Sequence, residues 1–530
     1  MPHPPLSVEV SPPFGEFRRQ NAELRANSHI AGDLERARIQ DSPMTLYEWS
    51  LIGIASSWLI RLTMIPIVVT RKEAPSTSLA WLMIVFFEPW AGLALYVLLG
   101  EDRLVRRRLQ LRARAARRFQ SPTPPTVQDS ETGESQVRSR HEPALDRQQQ
   151  TLAALALDAG ALPVTDGNSV ELVSETADFI AGLIRDIDAA QHHVHLMFYI
   201  VEDDEVGRAV GDALIRARER GVECRLLADA VGARTLFGPL AGQLTQRGIE
   251  VLAALPANPI RRGLARLDLR NHRKLAVIDG RIAWTGSQNI VEESYGHSKA
   301  GVWHDMMARI MGTAVWQLQV IFLEDWYHET QQPLEDEEVY FPQPVRSGSV
   351  ALQVVPTGPD RPTEHFQHLM VEAIHSARER VTITSPYFIP DEPLMCALRL
   401  AAARGVHVEV ILPARSDHWI VDAAGKFYCS QLLDFGVDVL LFESGLLHSK
   451  TLTVDHELGM FGSANYDIRS FQLNFELNVL LYDEHATREV RWIQQGYQKE
   501  SRRLTKEEWA AQPRWKHLAS NVAKLFSPVL

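Results

Sequence analysis

Two stretches of the sequence carry the same potentially reactive side chains at the same spacing. The first is HRKLAVID at residues 272–279, followed by GSQN at 286–289. The second is HSKTLTVD at residues 448–455, followed by GSAN at 462–465. In both copies lysine follows histidine by two residues, aspartate by seven, serine by fifteen and asparagine by seventeen. Two matched copies in one chain predict a single active site built from two halves.

The histidine and lysine of each copy are predicted to share one face of a strand. Side chains two residues apart in a strand point to the same side. His272 and Lys274 should therefore point together, as should His448 and Lys450. The apolar residues that follow each pair predict a strand that continues into the core.

A turn after each strand should bring a serine and an asparagine back to the histidine. Asp279-Gly280 is a two-residue turn signal, and such a hairpin would place Ser287 directly across from His272. The second copy is expected to turn through a longer loop at residues 455–459. The side chains expected at the two sites in this way are Ser287, Asn289, Ser463 and Asn465.

This set of side chains suits a phosphate ester. Lysine and asparagine amides donate hydrogen bonds to phosphoryl oxygens, and an imidazole can attack phosphorus or protonate a departing oxygen. With two imidazoles, one can be nucleophile and the other acid, so the chemistry needs no metal and no cofactor. A carboxylate should fix each imidazole tautomer, and the strand after each motif offers one in a matching place, Asp305 and Glu476.

A single H-x-K on a strand is more simply explained as two surface residues. Two copies with four matched offsets make that explanation very weak. A binding module without activity would predict decay of at least one motif, and neither copy has decayed.

Composition limits the class of protein. The chain has 530 residues, 45% of them apolar, which is enough for two or three domains. Its formal net charge of -11 gives no general attraction to nucleic acid and disfavours a nuclease. Cys224, Cys396 and Cys429 have no metal-like spacing, so free thiols in a reducing compartment are expected.

Two apolar stretches, at residues 46–70 and 79–100, predict a membrane hairpin. Each reaches the roughly 20 residues that a spanning helix needs, although Arg61 and Glu88 interrupt them. These two charges should satisfy each other or face a partner. A buried or interfacial helix is the alternative for the first stretch.

The arginine-rich run at residues 103–118 is typical of a cytoplasmic flank, so the rest of the chain is expected in the cytoplasm. The run could also hold anionic lipid head groups. The tail before the hairpin is charged and proline-containing, with one short helix expected around residues 16–40. The segment at 119–147 has the composition of a linker.

Beyond the linker the pattern is α/β and occurs twice. Each half reads helix, strand, helix ending at glycine, and strand. The predicted elements are helix 176–190, strand 193–200, helix 206–220 and strand 222–228, and then helix 364–380, strand 381–388, helix 392–404 and strand 406–412. Amphipathic helices from residue 505 onward should pack on the body of the domain, with membrane contact as a second interpretation.

These observations predict an α/β protein in which two duplicated halves form one catalytic body behind a two-helix transmembrane hairpin. The predicted boundaries are a disordered tail at 1–43, the hairpin at 44–100, the basic segment and linker at 101–147, a first half at 148–340, and a second half with the C-terminal helices at 341–530.

The doubled motif resembles the phospholipase D superfamily, and its details resemble the bacterial cardiolipin synthases. The resemblance runs from about residue 46 to about residue 500. The segments that carry it include LPVTDGNSVELV, FYIVEDDEVG, VVPTGPD, SPYFIPDEPL and GSANYDIRSFQLNFELN. It implies an α/β catalytic body of two phospholipase D-like halves and an enzyme at the bacterial inner membrane.

The resemblance implies that phosphatidylglycerol loses glycerol to form a phosphatidyl-histidine, from which a second phosphatidylglycerol displaces the histidine. It implies His272 as nucleophile and His448 as general acid and then base, or the reverse. Hydrolysis by water and transfer to another alcohol stay open, as does the oligomeric state. The implied site residues are His272, Lys274, Asp279, His448, Lys450 and Asp455 for catalysis, Ser287, Asn289, Ser463 and Asn465 for the phosphate, and Asp305 and Glu476 for orienting the histidines.

The sequence departs from this pattern at one informative place. The segment after the first motif, GSQNIVEESYGHSKAGVWHD, lacks the D-x-R-S that follows Asn465. Whether the first half contacts substrate as the second does is therefore open. Asp279 and Asp455 lie at a turn position, which suggests a supporting role.

Overall fold

The computed structural model describes residues 45–70, 75–100, 145–256, 269–295, 301–332, 334, 337–361 and 363–524. The chain divides into two compact units after Gly100. The predictions of a tail at 1–43, a helix around 16–40, and a basic segment at 103–118 lie outside the described residues, as does most of the predicted linker.

The described part of the first unit contains three apolar helices. They are α1 (Leu46–Val69), α2 (Pro75–Phe87) and α3 (Pro89–Leu99). Helix α1 begins at a capping box in which Thr45 and Glu48 exchange side-chain to backbone hydrogen bonds. Its 24 residues correspond to about 36 Å. Among the described residues, α1 is the one helix long and apolar enough to cross a membrane.

The second apolar stretch is not one continuous helix, because it breaks at Glu88 and Pro89. Proline lacks an N–H and disfavours the helical conformation of the residue before it. The break leaves carbonyls at the end of α2 without partners in their own helix. Arg61 Nε donates to one of them, the Phe86 oxygen, at 2.8 Å, and its Nη1 donates to Ser57 Oγ at 3.0 Å. Arg61 is therefore satisfied by a backbone carbonyl.

The second unit begins with the elements of the first half. They are α4 (Arg147–Asp158), β1 (Thr165–Val173), α5 (Thr176–Ala189), β2 (His193–Phe198), α6 (Glu205–Glu219), β3 (Glu223–Asp229), α7 (Pro239–Gln246), β4 (Glu250–Ala254), β5 (Leu275–Ile278), β6 (Ile282–Gly286), β7 (Trp303–His304), β8 (Met307–Met311), α8 (Ala314–Thr330) and α9 (Glu337–Tyr340).

The elements of the second half follow. They are β9 (Val350–Thr357), α10 (Thr363–Ser376), β10 (Arg380–Thr384), β11 (Phe388–Ile389), α11 (Glu392–Ala403), β12 (His407–Pro413), α12 (Trp419–Asp434), β13 (Asp438–Phe442), β14 (Leu446–Leu447), β15 (Thr451–Val454), β16 (Leu458–Gly462), β17 (Tyr466–Asp467), α13 (Ile468–Gln472), β18 (Glu476–Leu481), α14 (Glu484–Lys499), β19 (Ser501–Arg503), α15 (Lys506–Ala510) and α16 (Arg514–Ala523).

Fifteen of these strands form one sheet in the order β19-β13-β12-β10-β15-β16-β18-β9-β1-β8-β6-β5-β2-β3-β4. Strands β1 and β9 pair antiparallel at its centre. Reading outward from that pair, the order β1-β8-β6-β5-β2-β3-β4 on one side matches β9-β18-β16-β15-β10-β12-β13 on the other. The α/β class predicted from the sequence is confirmed.

Helices cover both faces of the sheet. Alternate residues of a strand point to opposite faces, and in β5 Leu275 and Val277 join a core that includes α8 and α14. Ala276 and Ile278 face the other way, toward α5, α6 and α7. The matching face of the second half packs against α10, α11 and α12. The predicted strand at 381–388 is in fact two, β10 and β11.

Candidate active site

The histidine and lysine of the first motif lie before a strand rather than on it. Strand β5 begins at Leu275, so His272 and Lys274 belong to the segment that enters it. Strands β5 and β6 pair from Leu275 with Thr285 to Ile278 with Ile282. Asp279 and Gly280 form the predicted turn, closed by the Arg281 N–H to the Ile278 carbonyl at 3.0 Å. The loop between the paired residues is three residues long, however, so the predicted register is wrong. This register, continued, places Ser287 across from residue 273 rather than from His272.

The second motif has the same geometry. Strands β15 and β16 pair from Thr451 with Phe461 to Val454 with Leu458. The turn is again three residues, 455–457, and the predicted longer loop is wrong. Equal turns explain why the fifteen-residue spacing from histidine to serine is the same in both copies.

His448 is held by the carboxylate of Asp305. His448 Nδ1 lies 2.7 Å from Asp305 Oδ1, and both side chains are buried. When the Nδ1–H of a neutral His448 donates to this carboxylate, the lone pair of the imidazole is on Nε2. Burial lowers the pKa of His448 to about 4, an effect that Asp305 opposes.

His272 lies beside Glu476 at ion-pair distance, without the hydrogen bond that joins His448 to Asp305. Its Nδ1 lies 3.2 Å from Glu476 Oε1, and Glu476 is fully buried. Asn474 Nδ2 lies 3.4 Å from the same ring nitrogen. Both predicted orienting carboxylates are therefore beside a histidine.

The two histidine–carboxylate contacts cross between the halves. Asp305 follows the first motif but contacts the histidine of the second, and Glu476 follows the second motif but contacts the histidine of the first. Backbone hydrogen bonds cross in the same way, because His272 N donates to the Phe475 oxygen at 2.9 Å and His448 N to the His304 oxygen at 2.8 Å. We call His272–Glu476 and His448–Asp305 the crossed pairs.

The two serines hold the carboxylates of the crossed pairs. Ser287 Oγ donates to Asp305 Oδ1 at 2.5 Å, and Ser463 Oγ donates to Glu476 Oε2 at 2.6 Å. Each serine hydroxyl also accepts a backbone N–H. Ser287 accepts that of Met306, and Ser463 accepts that of Leu477. Their hydroxyls are thus engaged with protein groups, which favours a positioning role over the predicted direct contact with phosphate.

Two buried lysines lie close to the carboxylates of the crossed pairs. Lys274 Nζ donates to the His272 carbonyl at 2.7 Å, and Lys450 Nζ donates to the His448 carbonyl. Burial lowers the pKa of Lys274 to about 8 and that of Lys450 to about 7, while Glu476 and Asp305 oppose the shift. An anion bound beside these lysines would favour their charged forms and raise both pKa values.

The site stabilises the carboxylate of Asp305 in its ionised form. Burial alone would raise its pKa, but His448 and Lys450 outweigh burial and hold the pKa at about 2. The carboxylate is therefore ionised at neutral pH and accepts the imidazole N–H.

The predicted asparagines are buried beside the motifs. Asn289 Oδ1 accepts the Ile200 N–H at 3.1 Å, which ties it to the end of β2 and leaves its amide nitrogen as the donor group. Asn465 is also buried and immediately precedes β17. A direct contact of either amide with phosphate stays a prediction.

Asp279 and Asp455 do not lie with the other motif residues. Each sits in a turn at the far end of a four-residue strand, which spans about 13 Å. Asp279 accepts the N–H groups of residues 191–193 at 2.7 to 2.9 Å, and Asp455 those of residues 378–380 at 2.8 to 2.9 Å. This geometry favours the suggested supporting role over a catalytic one, and the catalytic role stays a prediction.

Sequence reasoning missed two aromatic residues that lie against the histidines. The Tyr199 ring is 4.1 Å from the His272 ring, and the Trp303 ring is 4.5 Å from the His448 ring, between centroids. Each ring limits the positions that the imidazole can take. Tyr199 lies in the quoted segment FYIVEDDEVG, and that segment was the available signal for it.

A buried arginine also went unrecognised. Arg273, between the motif histidine and lysine, pairs with Asp325 at 2.7 Å and donates to the Glu476 and Thr357 carbonyls. It thereby ties the first motif to two strands of the second half.

One group of metal-ligand side chains occurs among the described residues, away from the motifs. His407, Glu409 and Asp438 lie on β12 and β13. Their carboxylates already pair with arginines, Glu409 with Arg380 at 2.7 Å and Asp438 with Arg503. These pairs favour a surface ion network rather than a metal site.

Comparison with known families gives this geometry a context. The family described as cardiolipin synthase, PLD-like domain, matches residues 183–326 and 370–495. The two matched segments contain both motifs and both carboxylates of the crossed pairs. The chain belongs to the cardiolipin synthase family of phospholipase D-like proteins.

Family members resemble this chain over nearly its whole length. Cardiolipin synthase A of Yersinia pseudotuberculosis serotype O:1b (strain IP 31758) is 33% identical over 496 residues, which cover 92% of this chain and 99% of that protein. Cardiolipin synthase A of Yersinia pestis bv. Antiqua (strain Angola) has the same identity and coverage.

A solved structure shares the fold at low identity. The phosphatidylserine synthase of Haemophilus influenzae Rd KW20 covers 68% of this chain and 95% of its own, with a TM-score of 0.51 and 15% identity. At this identity the likeness concerns the fold alone.

Proposed function

We propose that this enzyme of the cardiolipin synthase family is a phosphatidyltransferase that makes cardiolipin and glycerol from two molecules of phosphatidylglycerol. The crossed pairs carry the proposal. They place two imidazoles, each beside a carboxylate, near two buried lysines. Similarity to cardiolipin synthase A over 92% of the chain supports a lipid as the phosphodiester.

The first step transfers the phosphatidyl group to the enzyme. A neutral imidazole nitrogen attacks phosphorus, and the bond from phosphorus to the glycerol oxygen breaks. The other imidazole, as imidazolium, gives its proton to that departing oxygen. Lys274 and Lys450 donate hydrogen bonds to the phosphoryl oxygens that gain charge. The product is a phosphatidyl-histidine, and glycerol leaves.

The second step reverses the roles of proton donor and acceptor. The imidazole that lost its proton takes one from the hydroxyl of a second phosphatidylglycerol. The resulting oxygen attacks phosphorus, the phosphorus–nitrogen bond breaks, and the first imidazole is restored. Asp305 and Glu476 keep each ring in one tautomer through both steps.

The resemblance implies His272 as the nucleophile, and one property of His448 favours the reverse. An attacking imidazole must be neutral, and burial lowers the pKa of His448 to about 4. Both assignments give the same products. Mapping the phosphorylated peptide in a quenched reaction distinguishes them, because residues 272 and 448 fall in different proteolytic fragments.

We propose the following organisation around this site. Residues 44–100 are a membrane hairpin in which α1 spans and the broken pair α2–α3 returns. Large apolar side chains of α1 such as Trp49, Leu59 and Leu62 are exposed, as lipid contact requires. Residues 148–340 and 341–530 are duplicated halves, supported by their matching strand orders. The catalytic part is cytoplasmic, at the bacterial inner membrane, because the arginine-rich run at 103–118 is typical of a cytoplasmic flank.

The test is to give the purified full chain phosphatidylglycerol vesicles as its lipid, without nucleotide or added metal. Cardiolipin and glycerol are expected in equal amounts by mass spectrometry. Phosphatidic acid in place of cardiolipin would contradict the synthase in favour of a lipid hydrolase with water as acceptor. His272→Ala and His448→Ala should each lower turnover by at least about a thousandfold with unchanged circular dichroism. Adding phosphatidylethanolamine or an alcohol tests other acceptors.

A further inference from the structure

The C-terminal helix α16 exposes its large apolar residues and buries its small ones. The buried residues of α16 are small, Ser520 and Ala523. Trp515, Leu518 and Val522, at positions i, i+3 and i+7, lie along one stripe, and Trp515 and Leu518 are each 65% exposed. A helix that serves only to cover a core shows the opposite arrangement. We call Trp515, Leu518 and Val522 the α16 stripe.

Helix α16 is nevertheless firmly placed. Ala523 packs with Ala424 of α12 and Ile389 of β11 in one buried cluster. Lys524 Nζ lies 3.9 Å from the centre of the Phe427 ring on α12. The small inner residues allow α16 to lie close against α12, so the stripe is held outward by the fold.

The same helix pair adjoins the active site. Strand β11, which contacts α16 through Ile389, pairs with β17 in the register Phe388 with Tyr466. Tyr466 directly follows Asn465 of the second motif. At the start of α12, Trp419 is 77% exposed, next to a loop in which Asp417 accepts the Tyr387 hydroxyl at 2.7 Å. The stripe and Trp419 therefore lie on elements that border the site.

The charge of the α16 segment itself is opposite in sign to that of the whole chain. The chain has a net charge of -11, but residues 514–524 contain Arg514, Lys516 and Lys524 and no acidic residue. A stripe of tryptophan and aliphatic residues flanked by lysine and arginine is typical of helices that lie in the interface of an anionic bilayer.

We propose that the α16 stripe, with Trp419, inserts into the interfacial layer of an anionic membrane and holds the mouth of the active site against the lipid surface. This contact is additional to the N-terminal helices. The α16 stripe contacts the bilayer surface itself, because its apolar side chains complement the acyl chains and its basic flanks complement the anionic head groups. The proposal concerns where the site faces, and it does not depend on which lipid product forms.

The test uses a fluorophore on the full chain in vesicles. The environment-sensitive label is attached at Leu518→Cys in a Cys396→Ser background, since Cys396 is exposed whereas Cys224 and Cys429 are buried. Trp492→Cys is the matched control, because Trp492 is 72% exposed but lies on α14. Helices α12 and α14 pack on opposite faces of the sheet, α12 with Leu441 and α14 with Leu440.

In phosphatidylglycerol-containing vesicles the label at 518 should shift to the blue and be quenched at least about twofold more by lipids carrying a spin label than the label at 492. Raising salt or replacing phosphatidylglycerol by phosphatidylcholine should weaken the difference. Equal quenching at both positions, with equal access to aqueous iodide, would overturn the proposal. Cross-linking from position 518 to a second copy, without lipid quenching, would also overturn it and identify a dimer interface.

A second measurement separates this contact from catalysis. Trp515→Ser combined with Leu518→Ser should lower turnover of long-chain phosphatidylglycerol in vesicles by about tenfold. Turnover of a short-chain, monomeric phosphatidylglycerol should stay unchanged, since the catalytic residues are untouched. Loss on both substrates would overturn the orienting role, whereas absence of any product from unaltered protein would count against the proposed function instead.

Discussion

At the scale of single residues, the residues of each motif have different roles, although their spacing is the same in both copies. Histidine and lysine face the site, serine holds a carboxylate, and aspartate closes a distant turn. The carboxylates come from the opposite half. Each imidazole is therefore fixed by two different parts of the sequence, and removal of a carboxylate should disable the histidine of the other motif.

Asp305→Asn should lower kcat by roughly 10²- to 10⁴-fold, because an amide neither stabilises an imidazolium nor enforces the tautomer of His448. Ser287→Ala is the matched comparison. It removes one hydrogen bond to the same carboxylate and should cost only about tenfold. The measurements are kcat and KM for phosphatidylglycerol, with melting temperatures to verify folding. If Ser287→Ala raised KM strongly while kcat stayed normal, the serine would instead bind phosphate directly.

The pH dependence should follow the two lysines. Their pKa values, about 7 for Lys450 and about 8 for Lys274, are lowered mainly by burial. A lysine is charged below its pKa, so both ammonium groups are present at low pH and are lost as pH rises through these values. Because a phosphodiester keeps its charge throughout, kcat/KM should fall steadily above about pH 7. A profile that stays flat up to pH 9.5 would contradict these lowered pKa values.

At the scale of elements, the sequence predicted what local pattern determines. The helices and strands flanking the motifs, such as α6 ending near Gly221 and β3 after it, follow from periodicity and a glycine that adopts a positive φ. The hairpin after each motif was also expected. Its register was missed by one residue, because Arg281 adds a third residue to the loop after the Asp279-Gly280 turn.

The missed features depend on contacts far apart in the chain. Nothing in the pattern around Asp305 indicates that its partner is 143 residues away. The crossing follows from two short pairings between the halves, Leu447 of β14 with His304 of β7, and Asn271 with Phe475. The break of the second apolar stretch had a local signal, Pro89, and could have been predicted.

Asp455→Ala should destabilise the fold without disabling the site. Its carboxylate accepts the N–H groups of residues 378–380, and its φ of 50° is one that aspartate and asparagine tolerate better than alanine. A loss of about 2 kcal/mol in the free energy of unfolding is expected from denaturant titration. Asp455→Asn keeps one acceptor oxygen and the backbone preference, and should cost less.

The activity of the folded fraction is the control for this prediction. It should stay within about twofold of the unaltered protein for both variants, since the turn is a strand's length from the lysines. A large fall in kcat with an unchanged melting temperature would show that Asp455 acts in catalysis after all. Asp279→Ala and Asp279→Asn repeat the comparison in the first half.

At the scale of the whole molecule, the central pairing of β1 and β9 makes the two halves one body. The core that contains α8 and α14 draws residues from both halves, and Arg273 of the first half donates to two carbonyls of the second. A half expressed alone would leave this core and one partner of each crossed pair exposed. The active site thus requires the two halves to be folded together.

This organisation predicts how inactive variants behave when mixed. His272→Ala and His448→Ala each lack one imidazole and keep every other residue of the crossed pairs. If the site forms within one chain, co-reconstituting the two variants in the same vesicles should restore no phosphatidylglycerol turnover above the level of either alone. Exchange of halves between two chains would instead regenerate sites with both histidines, up to about a quarter to a half of normal activity. Co-expression of the variants, which allows exchange during folding, is the stricter form of the experiment, and recovery there would show that the crossed pairs can form between chains.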